Sequence, residues 1–414
     1  MTRTSLACTA LLALLLAACA TTPPPAPPAR PQLLLISIDG LRADALDWGI
    51  TPHLSQLAAQ GVRAQWMNPS YPALTFPNHY TLVTGLRPDH HGIIHNSMED
   101  ADLGGFKVSQ SDVVGDGRWW GGEPIWVGAE KADLRSGTWS WPGSEAEISG
   151  VRPSHWRVYD GHVPAQQRAM QVAAWLEDPR QPVALAALYF DQVDKAGHDY
   201  GPQSAEYRHA ITQVDAAIGK LVARLRRDGR LDRTNIVIVS DHGMATVQPQ
   251  QVIAVEDMVP MDEAKVVSIG QSIGIAPRPG KEQAAADRLL GAHPQYDCWR
   301  RETLPARWHY GTHPRVPPII CQMHEGWDAL AGEDVPARHA GHVRGSHGYD
   351  PALASMRAVF IARGPSFVSG TTLPPFDNVD VYPLLTRLLD VPAAPNDGDP
   401  RTLQPALRVA PTTP

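Results

Sequence analysis

The sequence lacks the charge and the apolar runs that would point to a nucleic-acid-binding or a membrane-spanning protein. Only 19% of its 414 residues are charged, the formal net charge is -7, and no dense lysine or arginine tract occurs. A general attraction to nucleic-acid phosphates is therefore excluded. The apolar run from Leu11 to Ala18 is too short to cross a bilayer. Because 43% of the residues are hydrophobic, the chain can still bury the core of one or two globular domains.

The first residues have the order of a secretory signal. Arg3 precedes the apolar run, and small residues follow it. The segment LAAC, residues 16–19, resembles the lipobox of bacterial lipoproteins, in which Cys19 would be acylated. We therefore predict a lipoprotein signal peptide over residues 1–19 and export to the periplasm or cell envelope, with the lipid on Cys19 as the only membrane contact. Ala20 stands where an aspartate is associated with inner-membrane retention, which favours the outer membrane; a plain signal peptide cut nearby is the alternative.

Cysteine is scarce, with four residues in the whole chain. Cys8 and Cys19 belong to the export segment, which leaves Cys298 and Cys321 in the exported part. An even pair of cysteines in an oxidising compartment predicts a disulfide. Two buried free thiols are the alternative.

The chain divides by composition into a tether, a domain and a tail. Residues 20–31 are so rich in proline that they predict an extended tether. From residue 32 to about 390, apolar strands alternate with amphipathic helices, which predicts an α/β domain with a mostly parallel sheet. Residues 248–340 have weak periodicity and are interpreted as an inserted cap, or else as surface excursions; residues 391–414 form a C-terminal tail. The predicted strands are Leu33–Ile38, Val183–Phe190, Asn235–Ser240 and Arg357–Ile361, and the predicted helices start near Thr75 and span Ala165–Leu176, Ser204–Arg227 and Val379–Leu389.

Acidic residues follow three of the predicted strands. Asp39 follows LLLISI, Asp191 and Asp194 follow VALAALYF, and Asp241 follows NIVIVS. Ligands of open α/β sheets bind at the carboxyl ends of the strands, so these carboxylates could converge. A single aspartate in such a place is more often a helix cap or a turn residue.

Histidines near these aspartates change that interpretation. Asp194 and His198 are four residues apart in DKAGH, a spacing that lets both reach one ion from a helix or turn. His242 directly follows Asp241 in SDHGM, and His347 lies between two glycines in RGSHGY. Mixed nitrogen and oxygen ligands suit zinc, or less selectively manganese or iron. Together the aspartates and histidines predict a metal site.

A hydroxyl group that could act as a nucleophile occurs in YPALTFPNHYTLVTG. Thr75 precedes Phe76 and Pro77, which predicts a helix N-terminus at this point. A helix N-terminus attracts anions, and a nearby metal would favour the alkoxide form of the hydroxyl. A role as a helix cap alone is the alternative.

Five motifs together, ISIDGLR, PALTFPNH, DKAGH, SDHGM and GSHGY, resemble the nucleotide pyrophosphatase/phosphodiesterase family of the alkaline phosphatase superfamily. They occur in order between about Gln32 and Leu389. The resemblance implies an alkaline phosphatase-like three-layer sandwich with a cap and two Zn²⁺ ions. It also implies hydrolysis of phosphodiester and pyrophosphate bonds in small nucleotide substrates to nucleoside 5'-monophosphates, through a phospho-threonine on Thr75. The implied ligands of one ion are Asp194, His198 and His347, and those of the other are Asp39, Asp241, His242 and the oxygen of Thr75.

The resemblance also implies how the substrate is bound. Asn96, in GIIHNSMED, matches the family's phosphate-binding asparagine, although it could be a simple turn residue. Phe76, Tyr159 and Tyr189 are similar to the family's aromatic slot for a nucleobase. A place in the strand core is the alternative for Tyr189.

Other functions remain open at this point. A phosphomonoesterase of the superfamily normally uses serine, whereas this chain has threonine. A choline or glycerol phosphodiesterase would need an anionic or aromatic cage, for which Asp160 and the tryptophans are candidates. A noncatalytic zinc-stabilised surface lipoprotein would not need Thr75 or Asn96. The chain has no C-x-P-x-R type motif, with Cys or Ser at its first position, and this disfavours sulfate as the main substrate.

Overall fold

A computed structural model of the protein describes residues 30–408. The predicted signal peptide 1–19, the predicted lipid site Cys19, nearly all of the predicted tether and the end of the predicted tail lie outside the described residues.

A central sheet forms the middle layer of the domain. Its strands are β1 Gln32–Ile38, β2 Val62–Ala64, β3 Ser136–Trp139, β4 His155–Arg157, β5 Leu185–Phe190, β6 Thr234–Val239, β7 Phe360–Arg363 and β8 Thr371–Leu373. Their order across the sheet is β8-β2-β7-β6-β1-β5-β3-β4. Only β7 runs antiparallel to its neighbours, so the prediction of a mostly parallel sheet is confirmed. Of the four predicted strands, the last is displaced most: β7 begins at Phe360, three residues after the predicted start.

Helices cover both faces of this sheet. Along β1, Leu33 and Leu35 face one hydrophobic core, and Leu34 and Ile36 face the other, as the twofold repeat of a strand requires. The helices are α1 Pro52–Gln60, α2 Thr75–Thr84, α3 Pro88–His91, α4 Ser111–Val114, α5 Ile125–Lys131, α6 Ala165–Glu177, α7 Gln192–Tyr200, α8 Ala205–Arg227, α9 Val255–Met258, α10 Glu282–Leu289, α11 Val335–His339 and α12 Val381–Leu389. Side chains of α2, α5 and α12 pack in the first core, and those of α1, α6 and α8 pack in the second. The result is three layers.

The ends of the predicted helices follow from capping. The Ser204 hydroxyl accepts a hydrogen bond from the Tyr207 amide at 3.0 Å, which fixes the start of α8. Thr75 is the first residue of α2 rather than its cap, because Leu74 has the extended conformation of the capping position. A 3-10 turn at Asn378–Asp380 delays α12, which begins two residues after its predicted start.

A second sheet lies within the region predicted as an insertion. Its strands, in spatial order, are Ala264–Ser268, Ser272–Pro277, Ile319–Met323, Tyr296–Arg300 and Gly291–Ala292, all antiparallel. Cys298 and Cys321 lie opposite each other on neighbouring strands and form the predicted disulfide. Two-stranded pairs also join Ala245–Val247 with Arg344–Ser346, Val252–Ala254 with Asp328–Leu330, Phe376–Asp377 with Met67–Asn68, and Ser97–Asp100 with Gly104–Lys107.

The beginning of the predicted tail packs against the domain. Val391, Leu403 and Ala406 are buried, and Leu407 pairs with Phe367 in an isolated antiparallel bridge. Apolar residues scattered among prolines have no helical or strand period, which is why the sequence did not indicate this packing. Between residues 30 and 408, no helix is both long and apolar enough to cross a membrane.

Candidate active site

The carboxyl ends of the parallel strands bring the predicted aspartates together. Ile38 is in register with Phe190, and Ser37 with Val239, so the residues that follow β1, β5 and β6 leave the sheet at one edge. Asp39 is directly after β1, at this edge.

Glycines permit the close approach of other segments to this edge. Gly40 has φ 66°, and a side chain there would place its Cβ 3.0 Å from atoms of Asp194 at the start of α7. A Cβ on Gly345 would lie 2.4 Å from the carbonyl oxygen of Gly197 in the same helix. The short strand Arg344–Ser346 can therefore pack closely against α7, which places His347 next to Asp194.

One group of candidate ligands consists of Asp39, Asp241 and His242, whose ligand atoms all lie within 4.8 Å of one another. His242 Nε2 is 2.9 Å from Asp241 Oδ2 and 3.5 Å from Asp39 Oδ1. All three side chains are buried. The chain folds this way because two of them follow adjacent strands and the third is the next residue in the turn.

The second group consists of Asp194, His242 and His347. His198, one helical turn after Asp194, is also at hand: its Nε2 lies 3.4 Å from Asp194 Oδ2 and 3.0 Å from His347 Nε2. The structure thus brings all six predicted side chains together and places His242 between the two groups.

The histidines present the same nitrogen to the site. Nδ1 of His198 contacts the carbonyl oxygen of Gly345 at 3.1 Å, and Nδ1 of His347 contacts that of Ala73 at 3.0 Å. A carbonyl can only accept a hydrogen bond, so each Nδ1 donates and each neutral ring keeps a lone pair on Nε2. Two such lone pairs facing each other at 3.0 Å need a cation between them or near them.

Burial and crowding shift the proton affinities in this cluster. Burial, and then the charges of Asp241 and Asp194, raise the pKa of Asp39 well above its ordinary value. Burial also raises the pKa of Asp194. Burial, followed by the imidazoles of His242 and His198, lowers the pKa of His347 well below its ordinary value. The site therefore disfavours the charged forms of Asp39, Asp194 and His347 when no cation is bound.

Buried oxygen atoms without an aligned donor indicate the same need for a cation. Among the described residues, Asp39 Oδ1, Asp194 Oδ1 and Asp241 Oδ2 are buried and have no hydrogen-bond partner. Buried polar atoms are rarely left in that state unless an ion or a water molecule satisfies them. Oxygen and imidazole ligands of this kind fit zinc.

Thr75 borders the ligand cluster from the first turn of α2. Its Oγ1 lies 3.4 Å from His242 Nε2. The amide of Phe76, the next residue, donates to Asn96 Oδ1 at 3.1 Å. With its oxygen engaged, the NH₂ group of Asn96 is left as a donor, and Asn96 and Thr75 line one cavity.

His79 is a residue that the sequence analysis did not single out. It is fully buried, its Nδ1 contacts the carbonyl oxygen of Thr75 at 2.9 Å and Asp241 Oδ2 at 3.3 Å, and its Nε2 lies 2.7 Å from Ser37 Oγ. It therefore links the Thr75 segment to Asp241 and to β1. Its position one helical turn after Thr75 in PALTFPNH was the available signal.

The cavity beside Thr75 has a volume of about 480 Å³, and the aromatic residues predicted to bind a nucleobase line it. Phe76, Tyr159 and Tyr189 all line it, together with Trp141, which the sequence analysis did not select. Tyr189 has a second contact, because its hydroxyl donates to Asp39 Oδ2 at 2.5 Å. It is thus both a strand residue of the core and part of the cavity wall.

The fold and the site define a hydrolase with a three-layer α/β fold of the alkaline phosphatase-like type. Residues 33–350 match the family model described as type I phosphodiesterase / nucleotide pyrophosphatase. The chain belongs to this family.

Individual relatives support the assignment. An uncharacterized pyrophosphatase/phosphodiesterase of Schizosaccharomyces pombe is 35% identical over 88% of this chain and 78% of its own length. The human ectonucleotide pyrophosphatase/phosphodiesterase family member 5 is 32% identical over 92% of this chain and 78% of its own. An inactive threonine-to-alanine variant of murine ectonucleotide pyrophosphatase/phosphodiesterase 5, solved in complex with AMP, matches with a TM-score of 0.86 and 33% identity. That match covers 91% of this chain and all of the murine one.

Proposed function

We propose that this chain is a zinc-dependent phosphodiesterase that releases nucleoside 5'-monophosphates from small nucleotide diesters and pyrophosphates through a phospho-threonine on Thr75. The observation that carries the proposal is the Thr75 hydroxyl, which lies at a helix N-terminus, 3.4 Å from His242 and on the wall of a cavity that four aromatic side chains line. The murine relative whose threonine variant is inactive and binds AMP supports both the nucleophile and the substrate class.

In the first step the Thr75 hydroxyl loses its proton to solvent, and Oγ attacks the phosphorus atom of the substrate. The Oγ–P bond forms, the P–O bond to the leaving group breaks, and the leaving group departs with the bonding electrons. The first turn of α2 favours the negative charge of the phosphoryl group, and the Asn96 amide donates to one of its nonbridging oxygens. In the second step water attacks phosphorus, the Oγ–P bond breaks, and Thr75 recovers its proton.

Two zinc ions would be held by the six side chains described above. Asp39, Asp241 and His242 would hold one, and Asp194, His198 and His347 the other. When bound, such ions supply positive charge for the attacking and departing oxygens. The aromatic rings of Phe76, Tyr159 and Tyr189 bind the nucleobase by stacking, which tolerates different bases.

The test is steady-state hydrolysis of thymidine 5'-monophosphate p-nitrophenyl ester beside p-nitrophenyl phosphate. Both assays use metal-loaded protein, chelated protein and chelated protein restored with zinc. We expect a large, zinc-dependent preference for the diester. A preference for the monoester would place the chain among phosphomonoesterases, and loss of the fold on chelation with no turnover in any state would indicate a structural zinc lipoprotein.

We also propose that the protein is exported and anchored to the outer membrane by a lipid on Cys19. The order of the first residues and the proline-rich tether support this, and a disulfide between Cys298 and Cys321 is compatible with an oxidising compartment. Metabolic labelling with palmitate should mark the natural protein but not Cys19→Ser. Equal labelling of both would refute the anchor.

A further inference from the structure

A buried arginine lies behind the wall of the catalytic cavity. Arg168, on α6, has no solvent exposure, yet its guanidinium contacts three backbone carbonyls. Its Nε donates to Val163 at 2.9 Å, one terminal nitrogen to Asp160 at 3.1 Å, and the other to Tyr189 at 3.2 Å. Arg168 thus joins the loop around residue 160 to the end of β5. A buried charge of this kind persists only where it is paired.

The partner of this charge is Asp191, an acidic residue at the end of β5 that does not join the metal-ligand groups. Its Oδ1 lies 2.8 Å from Arg168, and its Oδ2 accepts a hydrogen bond from the Tyr159 hydroxyl at 2.6 Å. Asp191 lines the cavity. An unpaired carboxylate there would repel a phosphodiester, so the paired arginine makes an acidic wall compatible with an anionic substrate.

Tyr159 has little packing of its own to hold its ring in place. It is 55% exposed, and its ring centroid lies 6.3 Å from that of Tyr189. Burial of the hydroxyl, followed by its hydrogen bond to Asp191, raises the pKa of Tyr159, so the phenol stays protonated as the donor. A hydrogen bond to a carboxylate is stronger than one between neutral groups. The ring orientation therefore depends on Asp191.

We propose that Asp191, fixed by Arg168, is a positioning residue that holds the Tyr159 ring in place as a wall for the nucleoside of the substrate. The inference rests on the proposed function. Because the ring contacts a part of the substrate that does not react, it contributes equally to ground-state and transition-state binding. Losing its fixed position should raise KM and leave kcat unchanged.

The first variant is Tyr159→Phe, which removes one hydroxyl from a half-exposed ring and should fold normally. For thymidine 5'-monophosphate p-nitrophenyl ester, we expect KM to rise about fivefold, equivalent to about 1 kcal/mol, with the same kcat. For methyl p-nitrophenyl phosphate, which has no nucleoside, kcat/KM should not change. Tyr200→Phe is the matched control, since Tyr200 is 47% exposed and lies outside the cavity lining.

A double-variant cycle tests whether Asp191 acts through Tyr159. We expect Asp191→Asn to raise KM for the nucleotide ester, and Tyr159→Phe to add nothing further in that background. An unchanged KM in Tyr159→Phe, or full additivity of the two substitutions, would overturn the inference. These results are distinct from failure of the proposed function, in which the natural protein itself would not hydrolyse either diester.

Discussion

Buried residues have different roles at the edge of the central sheet formed by the carboxyl ends of its strands and in the five-stranded sheet. At the edge, burial surrounds Asp39, Asp194 and Asp241, each of which has one buried oxygen with no hydrogen-bond partner within residues 30–408. In the five-stranded sheet, burial covers Ile273 and other apolar side chains around a disulfide. The buried aspartates of the first region can bind a cation, whereas the buried apolar side chains of the second stabilise the fold. Substitutions in the two regions should therefore affect different measurements.

The largest effect should come from Thr75→Ala. Removing the hydroxyl removes the nucleophile. We expect kcat for the thymidine diester to fall by at least about 10⁴-fold, because removal of the serine nucleophile of a serine protease has an effect at least that large. Metal content and the unfolding midpoint should stay close to those of the natural protein. Thr75→Ser is the control, because it keeps a hydroxyl. Substantial turnover by the alanine variant would refute a threonine intermediate.

His347→Ala comes next. Removing a group that only hydrogen-bonds to a metal ligand lowers activity by up to about 100-fold. Removing His347, a proposed ligand itself, should lower activity by more than that. Bound zinc, measured by mass spectrometry of the dialysed protein, should also decrease. His324→Ala is the control from the other region, since His324 is partly exposed and pairs with Asp297 at 3.3 Å. Full metal occupancy in His347→Ala would contradict the ligand assignment.

In the five-stranded sheet, replacing Cys298 and Cys321 by serine should lower stability without changing kinetics. The bridged residues are 23 apart in sequence, and closing a loop of this length stabilises a protein by about 3 kcal/mol in the chain-entropy model. Urea unfolding under oxidising conditions should show the loss, while kcat and KM stay unchanged. A large fall in kcat with little loss of stability would mean that this sheet takes part in catalysis.

The smallest effect is expected at Asp89, which joins α3 to the loop that precedes the strand Ile319–Met323 of the five-stranded sheet. Its carboxylate accepts hydrogen bonds from the amides of Gly311, Thr312 and His313, and from the Thr312 hydroxyl. Burial acts to raise the pKa of Asp89, but these hydrogen bonds outweigh it and hold the pKa below its ordinary value. Asp89→Asn should therefore cost about 1.5 kcal/mol of unfolding free energy at pH 7.

The pH dependence of that cost has a definite sign. Because the folded pKa of Asp89 is the lower one, its stabilisation is complete above the unfolded pKa of about 4 and is lost as the pH falls through the folded value. The difference in urea midpoint between the natural protein and Asp89→Asn should thus shrink as the pH is lowered from 5 to 3. A difference independent of pH would show that the charge is not responsible.

The sequence was most informative where chemistry and periodicity coincide. Residues of β1 are apolar on both faces and end in Asp39, so both the buried strand and its functional end could be predicted. The sequence was least informative in residues 264–323, where short strands have no strong alternation and pair across long turns. For this region we predicted an insertion and a disulfide, but none of the strands.

By itself the sequence determined the α/β class, the candidate ligands and Thr75, because these depend on residue type and local spacing. Only the tertiary structure decided that His242 lies between the two ligand groups, that His79 links Thr75 to Asp241, and that Asp191 pairs with Arg168 rather than with the ligands. The physical reason is that each of these contacts joins segments distant in sequence, and their geometry is fixed by strand register and helix packing rather than by any local pattern.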